Sequence, residues 1–86
     1  MEERIIDCSS ICTKEDLHRI FRETLSFPDW YGSNLDALYD CLTEMSGKVR
    51  LLDWDIAEHN LGTYGVKAKK VIVAAALRNT ALEFYI

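Results

Sequence analysis

Apolar and polar positions along the chain change their spacing from segment to segment, and each change marks a new element. The segment 4–8 is short and β-branched, and it predicts a first strand. A helix is predicted from Thr13, because its hydroxyl can cap the helix while the Asp16 carboxylate reaches back to the cap. Its apolar stripe consists of Leu17, Ile20, Phe21 and Leu25. Pro28 ends this helix.

A second helix is predicted from Ser33 or Asn34 to about Met45. Its apolar face is formed by Leu35, Leu38, Leu42 and Met45. The opposite face carries Asp36, Asp40, Thr43 and Glu44, with Tyr39 at its border. We expect the apolar face to be buried, which leaves the acidic face in solvent. Gly47 is expected to supply a left-handed turn after this helix.

The same criteria predict the elements of the second half of the chain. They are a strand at 49–52, a short helix at 56–61, a helix at 67–78 and a final strand at 82–86. Asp53 or Asp55 is expected to cap the short helix, Gly62 to end it and Gly65 to mark another turn. Strands joined by helical connections of a dozen residues or more pair in parallel. The predicted fold is therefore a single α/β domain, 1–86, with a small three-stranded parallel sheet packed against about four helices.

Composition and charge narrow the function. The chain has 86 residues, 49% of them hydrophobic, and a formal net charge of -4, so its surface repels a nucleic-acid backbone. No segment resembles a secretory signal, and no apolar run approaches the roughly 18 residues of a membrane span. Three cysteines, an odd number, suit reduced thiols better than a disulfide framework. We expect a soluble, acidic, cytoplasmic domain that binds neither membrane nor nucleic acid directly.

The acidic face of the second helix lies in a long segment without cations. No Lys or Arg occurs between Arg22 and Lys48, whereas that segment contains Glu23, Asp29, Asp36, Asp40 and Glu44. A solvated helix usually gains stability by pairing Glu with Lys one turn later, and this helix forgoes the pairing. Trp30 and Tyr31 lie in the loop that leads into it. Unneutralised carboxylates beside aromatic rings indicate a surface for a cationic partner, although a plain solvated face is the alternative.

Other chemistry-bearing residues give no functional pattern. Cys8, Cys12 and His18 do not match the spacing of a four-ligand metal site. Cys41 falls on the buried side of the second helix and is interpreted as a core thiol, while His18 and His59 are expected at the surface. Trp54, between two aspartates, is interpreted as a core anchor. We expect no catalytic residue, no metal and no cofactor.

Residues 25–43 closely resemble the signature of barstar-like ribonuclease inhibitors. The matching letters are LSFPDWYGSNLDALYDCLT, which place a Gly, an Asn, two Asp, a Cys and aromatic residues at the family's offsets. The segment Leu52-Asp-Trp54 and the order of elements are also similar to that family. The resemblance implies an intracellular protein that binds and blocks the active site of a small, basic, secreted, guanyl-preferring ribonuclease. It implies a monomer when free and a 1:1 complex with the enzyme.

The resemblance also implies which residues bind the partner. They are Trp30, Tyr31, Gly32, Asn34, Asp36, Tyr39, Asp40, Thr43 and Glu44. Asp40 would take the place of the scissile phosphate, Asp36 would meet a second cationic group, and Trp30 would stack over catalytic side chains. Trp30 could instead be a half-buried lid, and Tyr31 could serve packing or contact. Asn34 is interpreted as a helix cap first and a contact second.

Two alternatives stay open. The family often adds an acidic contact from the last helix, whereas here that region is basic, with Lys67, Lys69, Lys70 and Arg78. The chain could therefore be an immunity or adaptor module of the same fold that neutralises a different basic toxin or nuclease. Alternatively, Asp36 and Asp40 could form an acid–base pair of an enzyme, but no His or nucleophile accompanies them in the motif.

Overall fold

The computed structural model describes residues 3–86, which form one three-stranded sheet and the helices around it. The strands are β1 (Glu3–Asp7), β2 (Gly47–Leu52) and β3 (Leu82–Tyr85), in the order β1-β2-β3. Both pairings are parallel: Glu3 lies opposite Lys48 and Asp7 opposite Leu52 in the first, and Gly47 lies opposite Leu82 and Arg50 opposite Tyr85 in the second. The predicted α/β fold with a small parallel sheet is confirmed.

Helices connect the strands. Within residues 3–86 they are α1 (Lys14–Leu25), α2 (Leu35–Glu44), α3 (Trp54–Leu61) and α4 (Thr63–Arg78), and one turn of 3-10 helix, Cys8–Ser10, precedes α1. α2 and α3 both pack against α4, and α1 packs against β1. None of the helices of the described chain is both long and apolar enough to cross a bilayer.

The core lies where the apolar helix stripes meet the sheet. Its largest fully buried side chains are Phe21, Ile6, Ile11, Leu17, Leu38, Leu42, Ile72 and Val49. Leu35 and Met45, at the two ends of the apolar face of α2, pack against this core while partly exposed. Trp54 is buried, as predicted, and its indole N–H donates to the Glu58 carboxylate at 3.1 Å. Burial of Leu38 and Leu42 fixes the rotation of α2 and therefore the direction of its acidic face.

Local signals set the limits of α1 as predicted. The Thr13 hydroxyl accepts from the Asp16 N–H at 3.1 Å, and the Asp16 carboxylate accepts from the Thr13 N–H at 3.2 Å. This reciprocal capping box satisfies two of the N–H groups that a helix start leaves without partners. At the other end, Ser26 adopts a left-handed conformation with φ 57°, and its N–H donates to the Arg22 carbonyl. Pro28 follows two residues later.

The junction of α3 and α4 differs from the sequence prediction. α3 starts at Trp54 rather than at position 56, and Gly62 ends it, as predicted. Asp53, one of the two predicted caps, is the N-cap residue, but its side chain forms no capping hydrogen bond. α4 starts directly after Gly62, so Gly65 lies inside α4 and marks no turn. A Cβ at Gly65 would lie 2.8 Å from the Glu58 Cα. Glycine is needed there because the backbones of α3 and α4 touch.

Gly47 also plays a different part from the predicted one. α2 ends at Glu44, and Met45 already has extended backbone geometry. Gly47 has a positive φ of 115°, but it opens β2, where its N–H donates to the Ala81 carbonyl at 3.0 Å. The end of α2 is instead held by a side chain from after α4. The Asn79 amide donates to the Leu42 carbonyl at 2.9 Å and to the Met45 carbonyl at 2.6 Å.

Candidate functional site

The acidic face of α2 points away from the core, and its start is fixed by a side-chain cap. The Asn34 carboxamide oxygen accepts from the Ala37 N–H at 2.8 Å, and its amide donates to the Gly32 carbonyl at 3.2 Å. The interpretation of Asn34 as a helix cap is therefore confirmed. Asp36 lies in the first turn, where the positive end of the helix dipole favours a carboxylate. The cap and the dipole together hold the first carboxylate of the face in place.

The carboxylates of this face project into solvent without a partner in the described part of the chain. Asp36, Asp40 and Glu44 are exposed, and among residues 3–86 their carboxylates form no ion pair and accept no hydrogen bond. The Thr43 hydroxyl donates to the backbone carbonyl of Asp40 at 2.8 Å and leaves the Asp40 side chain unbound. Like charges one turn apart cost an isolated helix about 0.2–0.5 kcal/mol per pair. α2 therefore carries a charge pattern that helix stability alone does not favour.

A shallow groove separates the acidic face from α4. Its volume is about 390 Å³, with Asp36, Tyr39 and Asp40 on the α2 side and Lys70, Val71 and Ala74 on the α4 side. Lys70 shares the groove with the carboxylates but lies beyond ion-pairing distance of them. Tyr39 is partly buried and packs against the core edge. The groove thus joins an anionic wall from α2 to an apolar wall with one cation from α4.

The two aromatic residues before α2 have opposite environments. The Trp30 side chain is 76% exposed, so it is no half-buried lid over the core. Tyr31 is buried, with its ring centroid 4.9 Å from that of Phe27 and its hydroxyl oxygen 2.6 Å from His18 Nδ1. Of the two functions considered for Tyr31, packing is the one seen in this structure. The anchored Tyr31 holds the loop so that Trp30 projects into solvent beside α2.

His18 was expected at the surface, and that expectation is wrong. Its side chain is 2% exposed, and its Nε2 lies 2.6 Å from the Tyr64 hydroxyl oxygen while its Nδ1 faces Tyr31. Burial lowers the pKa of the imidazole, because the charged form loses its hydration. His59 is exposed, as predicted. The sequence feature that could have predicted the burial of His18 is its position beside Leu17, within the apolar stripe of α1.

Gly32 and Ser33 shape the turn between Trp30 and α2. The positive φ of this turn belongs to Ser33, at 52°, and not to Gly32. A Cβ at Gly32 would lie 3.1 Å from Asn34 Nδ2, the atom that donates to the Gly32 carbonyl. Glycine at position 32 therefore keeps space for the capping amide of Asn34. In this way Gly32 supports the start of the acidic helix.

The cysteines and other metal-binding residue types form no second site. Among the described residues no group of three or more His, Cys, Asp or Glu side chains could hold a metal ion. Cys8 and Cys41 are buried, as Cys41 was predicted to be, while Cys12 is exposed. Burial, helped by the charges of Asp7 and Asp53, raises the pKa of Cys8 to about 12. Burial likewise raises the pKa of Cys41, so neither thiol is poised to ionise.

Similarity to known proteins extends over almost the whole chain. Residues 1–84 match the family described as barstar (barnase inhibitor). The chain belongs to the barstar family. It is also 37% identical, over 78 residues, to the protein named "Putative ribonuclease inhibitor YrdF" from Bacillus subtilis (strain 168), and the match covers 87% of this chain and 86% of that protein.

The barstar-family site residues predicted from the sequence lie along one continuous segment, from the loop before α2 to its C-terminal end. The exposed ones are Trp30, Gly32, Asn34, Asp36, Asp40 and Glu44, the partly buried ones are Tyr39 and Thr43, and the buried one is Tyr31. The opposite wall of the groove contains Lys70, Val71 and Ala74, of which the sequence indicated only Lys70, as part of the basic last helix. Those residues are more than 25 positions away, and only the packing of α4 on α2 brings them near.

Proposed function

We propose that this chain inhibits a small basic, guanyl-preferring, barnase-type ribonuclease by placing the acidic face of α2 in the active site of the enzyme. The observation that carries the proposal is the pair of exposed carboxylates, Asp36 and Asp40, which lie one helical turn apart and form no ion pair with any residue from 3 to 86. Membership of the barstar family and the name of the Bacillus subtilis relative support a ribonuclease-inhibitor role.

Asp40 is the residue that mimics the RNA phosphate. A ribonuclease holds the scissile phosphate with cationic side chains, and a carboxylate offers such groups a planar acceptor that can take two hydrogen bonds at once. The Asp40 carboxylate needs to break no hydrogen bond or ion pair within residues 3–86 before it binds, because it is exposed beside the groove and forms none there. Asp36 takes a second cationic group one turn earlier. Water exclusion at the centre of the complex strengthens both interactions.

Trp30 and the N-terminal end of α2 contribute contacts to the complex besides those of the carboxylates. Trp30 is exposed beside α2 and presents its ring face to cationic or imidazole side chains of the enzyme, which favours stacking and cation–π contact. Tyr39, Thr43 and Glu44 extend the contact along α2. Because the Asn34 cap and the buried Tyr31 already hold the loop and the helix, little conformational freedom is lost on binding. This preorganisation favours a tight complex.

The net charge of the chain supports the same partner. At -4 it attracts a basic enzyme over several ångströms, and the carboxylate-rich segment between Arg22 and Lys48 directs that attraction to the loop and α2. We infer a free monomer and a 1:1 complex, formed in the cytoplasm of the cell that secretes the enzyme. The chain itself acts without catalysis, cofactor or metal.

The experiment is a titration of purified chain into a barnase-type ribonuclease, with cleavage of a guanosine-containing RNA as the readout. Inhibition is expected to reach completion at one chain per enzyme molecule. Full RNA cleavage at equimolar, micromolar concentrations of both proteins would contradict this proposal. The same titration gives the stoichiometry directly.

A second candidate is an immunity or adaptor module that neutralises another basic toxin nuclease. The observation that favours it is the basic surface of α4, where no carboxylate occurs between positions 63 and 78. Purified toxin nucleases of other specificity would then be bound, and Asp40→Ala would leave that complex intact. An acid–base enzyme finds no support, since the groove beside Asp36 and Asp40 is lined by no His, Cys or Ser in the part of the chain described.

A further inference from the structure

A concave surface lies between α1, the turn before α2 and the first turn of α4. Its volume is about 440 Å³, and it shares no residue of the described chain with the groove beside Asp36 and Asp40. The residues that carry its chemistry are Lys14, His18, Arg19 and Arg22 from α1, Ser33 from the turn and Tyr64 from α4. We call this surface the cationic cavity, because Lys, Arg and Arg side chains line it.

The cationic cavity is positively charged although the whole chain has a net charge of -4. Its one lining carboxylate within residues 3–86 belongs to Glu15. Arg19 lies 3.2 Å from the Asp16 carboxylate, whereas Lys14 and Arg22 form no ion pair in the described part of the chain. Two unneutralised cations beside one concavity favour an anionic ligand.

A buried chain of hydrogen bonds ends at this cavity. The Tyr31 hydroxyl is buried, and its one partner among residues 3–86 is His18 Nδ1 at 2.6 Å. Tyr31 therefore donates to Nδ1, because its proton would otherwise be buried without an acceptor. Burial lowers the pKa of His18, so the ring is neutral at neutral pH and carries its proton on Nε2.

The direction of this chain leaves a donor at the cavity. His18 Nε2 lies 2.6 Å from the Tyr64 hydroxyl oxygen, so the imidazole N–H donates to that oxygen. The Tyr64 O–H has no other partner within the described residues and lines the cavity. Its proton is therefore available to an acceptor that enters from solvent. His18 itself is 2% exposed, which fixes the position of the donor it orients.

The donors of the cationic cavity come from three elements. Lys14 and Arg22 belong to α1, and the Lys14 Nζ lies 5.3 Å from the centre of the Tyr64 ring of α4. The Ser33 hydroxyl, on the turn, has no hydrogen-bond partner among residues 3–86. A phosphate group suits donors on several sides, because its oxygens are arranged tetrahedrally and it carries up to two negative charges, whereas the two oxygens of a carboxylate lie in one plane.

We propose that the cationic cavity binds the phosphate group of a small molecule, either inorganic phosphate or a phosphate monoester such as a nucleoside monophosphate. Lys14 and Arg22 neutralise the charge, and the Tyr64 and Ser33 hydroxyls donate to the phosphate oxygens. The cavity is within the size range of small-molecule sites, so it has room for a group attached to the phosphate. This inference does not depend on the proposed function, because the ligand lies outside the groove beside Asp40.

A long nucleic acid fits the cationic cavity less well than a small molecule. The cavity is bordered by the segment between Arg22 and Lys48, which contains five carboxylates and no Lys or Arg. A polyanion that extended from the cavity over this segment would be repelled. Charge therefore favours an anion that the cavity can hold by itself.

The test is isothermal titration calorimetry of the full chain with sodium phosphate, adenosine 5′-monophosphate and adenosine, at an ionic strength held constant with sodium chloride. The variants are Arg22→Gln and Tyr64→Phe. The matched controls are Arg78→Gln and Tyr85→Phe, which make the same changes at exposed positions that do not line the cavity. Circular dichroism and thermal melting establish that each variant is folded.

Phosphate should bind saturably, and adenosine should not. Arg22→Gln should weaken phosphate binding about tenfold, because a charge-assisted hydrogen bond is lost, and Tyr64→Phe about threefold, with each control below about twofold. Tighter binding of adenosine 5′-monophosphate than of phosphate assigns the cavity to a monoester, and equal binding assigns it to the phosphate group alone. Because Arg22 is exposed, Arg22→Gln decides the outcome if Tyr64→Phe does not fold.

Three results would overturn the proposal. The first is the absence of saturable binding of both phosphate probes at millimolar concentrations. The second is equal weakening by Arg22→Gln and Arg78→Gln, which would mean that only the net charge attracts the anion. The third is binding of adenosine as tight as that of its monophosphate, since the phosphate group would then not be recognised.

Nitrogen NMR of the His18 ring tests the part assigned to Tyr64. The proton should be on Nε2, which leaves the Tyr64 O–H free to donate to phosphate. A proton on Nδ1 would mean that Tyr64 donates to the imidazole instead, and would overturn its assignment as a ligand donor.

Discussion

His18 Nδ1 lies 2.6 Å from the hydroxyl oxygen of Tyr31, and this contact anchors the loop before α2 to α1. The other ring nitrogen of His18 lies 2.6 Å from the Tyr64 hydroxyl, so the imidazole also joins α1 to α4. A neutral imidazole donates from one nitrogen and accepts at the other, and two tyrosine hydroxyls satisfy both. One buried side chain therefore connects the candidate binding loop with the helix across the molecule.

The burial of His18 predicts a pH-dependent stability. Because its folded-state pKa is lowered from the ordinary 6.5, the unfolded chain takes up a proton at a pH where the folded chain does not. The free energy of unfolding should therefore be unaffected by this group above about pH 7 and fall as the pH drops below its unfolded pKa, with a limiting slope of about 1.4 kcal/mol per pH unit. Urea unfolding between about pH 7 and pH 5 measures the slope.

The control for this prediction is a comparison of two histidines. His18→Gln keeps a polar side chain at the buried position but removes the titration, so the slope over this pH range should decrease. The same substitution at the exposed His59 of α3 is the matched control, and the slope should decrease more in His18→Gln than in His59→Gln. An unchanged slope in His18→Gln would contradict the assignment of the pH dependence to His18.

Substitution of Asp40 should weaken inhibition far more than substitution of Glu44. Asp40→Ala is expected to cost about 2 kcal/mol or more of binding free energy, the general loss at a central charged hot spot, for which the barnase–barstar pair is itself a standard example. Glu44→Ala, at the end of α2, should cost less than about 1 kcal/mol, as expected of a solvated edge charge. Surface plasmon resonance against the inhibited ribonuclease measures both.

Asp55→Ala is the matched control for the charge. Asp55 is an exposed carboxylate on α3, so its loss changes the net charge by the same amount without touching α2. It should alter the association rate slightly through long-range attraction and leave the dissociation rate unchanged. Equal losses of affinity in Asp40→Ala and Asp55→Ala would show that net charge, not a specific carboxylate, governs binding.

Asn79 should contribute measurably to stability, because its amide serves the C-terminal end of α2. In Asn79→Ala the carbonyls of Leu42 and Met45 lose their donor, and the free energy of unfolding should fall by about 1–3 kcal/mol. The comparison variant is Asn60→Ala, whose amide lies at an exposed position and donates to one carbonyl, that of Ile11 at 3.1 Å, and to the Cys12 Sγ at 3.9 Å. Denaturant titrations should rank Asn79→Ala as the less stable of the two.

Thiol reactivity should report the burial of the cysteines. In the folded protein a thiol reagent should modify Cys12 quickly, whereas Cys8 and Cys41 should react only on unfolding, because burial raises the pKa of both thiols and shields them. Cys12→Ser should abolish the fast reaction. Rapid modification of two or three thiols in the native state would mean that the core opens near Cys8 or Cys41.

Much of the candidate site follows from local pattern. The spacing of Leu38 and Leu42 is enough to direct Asp36 and Asp40 outward, because a helix with 3.6 residues per turn separates these sets onto opposite faces. The parallel sheet follows from connections too long for hairpins. The capping box of α1 is likewise a signal contained within four residues.

The wrong predictions concern residues whose environment depends on contacts between segments distant in the sequence. His18 is interpreted as a surface residue from its polar neighbours, yet its partner Tyr64 lies 46 positions away and makes burial possible. Gly65 is interpreted as a turn because glycine usually breaks elements, whereas its function here is to let two helices touch. Neither fact is visible in a window of sequence.

The amino-acid sequence alone determined the elements, their order and the charge of the acidic helix, since these depend on propensities and periodicities within a few residues. Only the tertiary structure decided which residues neighbour that helix. Tyr31 is buried against His18, whereas Trp30 is exposed. Lys70 of α4 lines the groove opposite Asp40. Such neighbours are set by the packing of whole faces against one another, which is a property of the complete fold rather than of any segment.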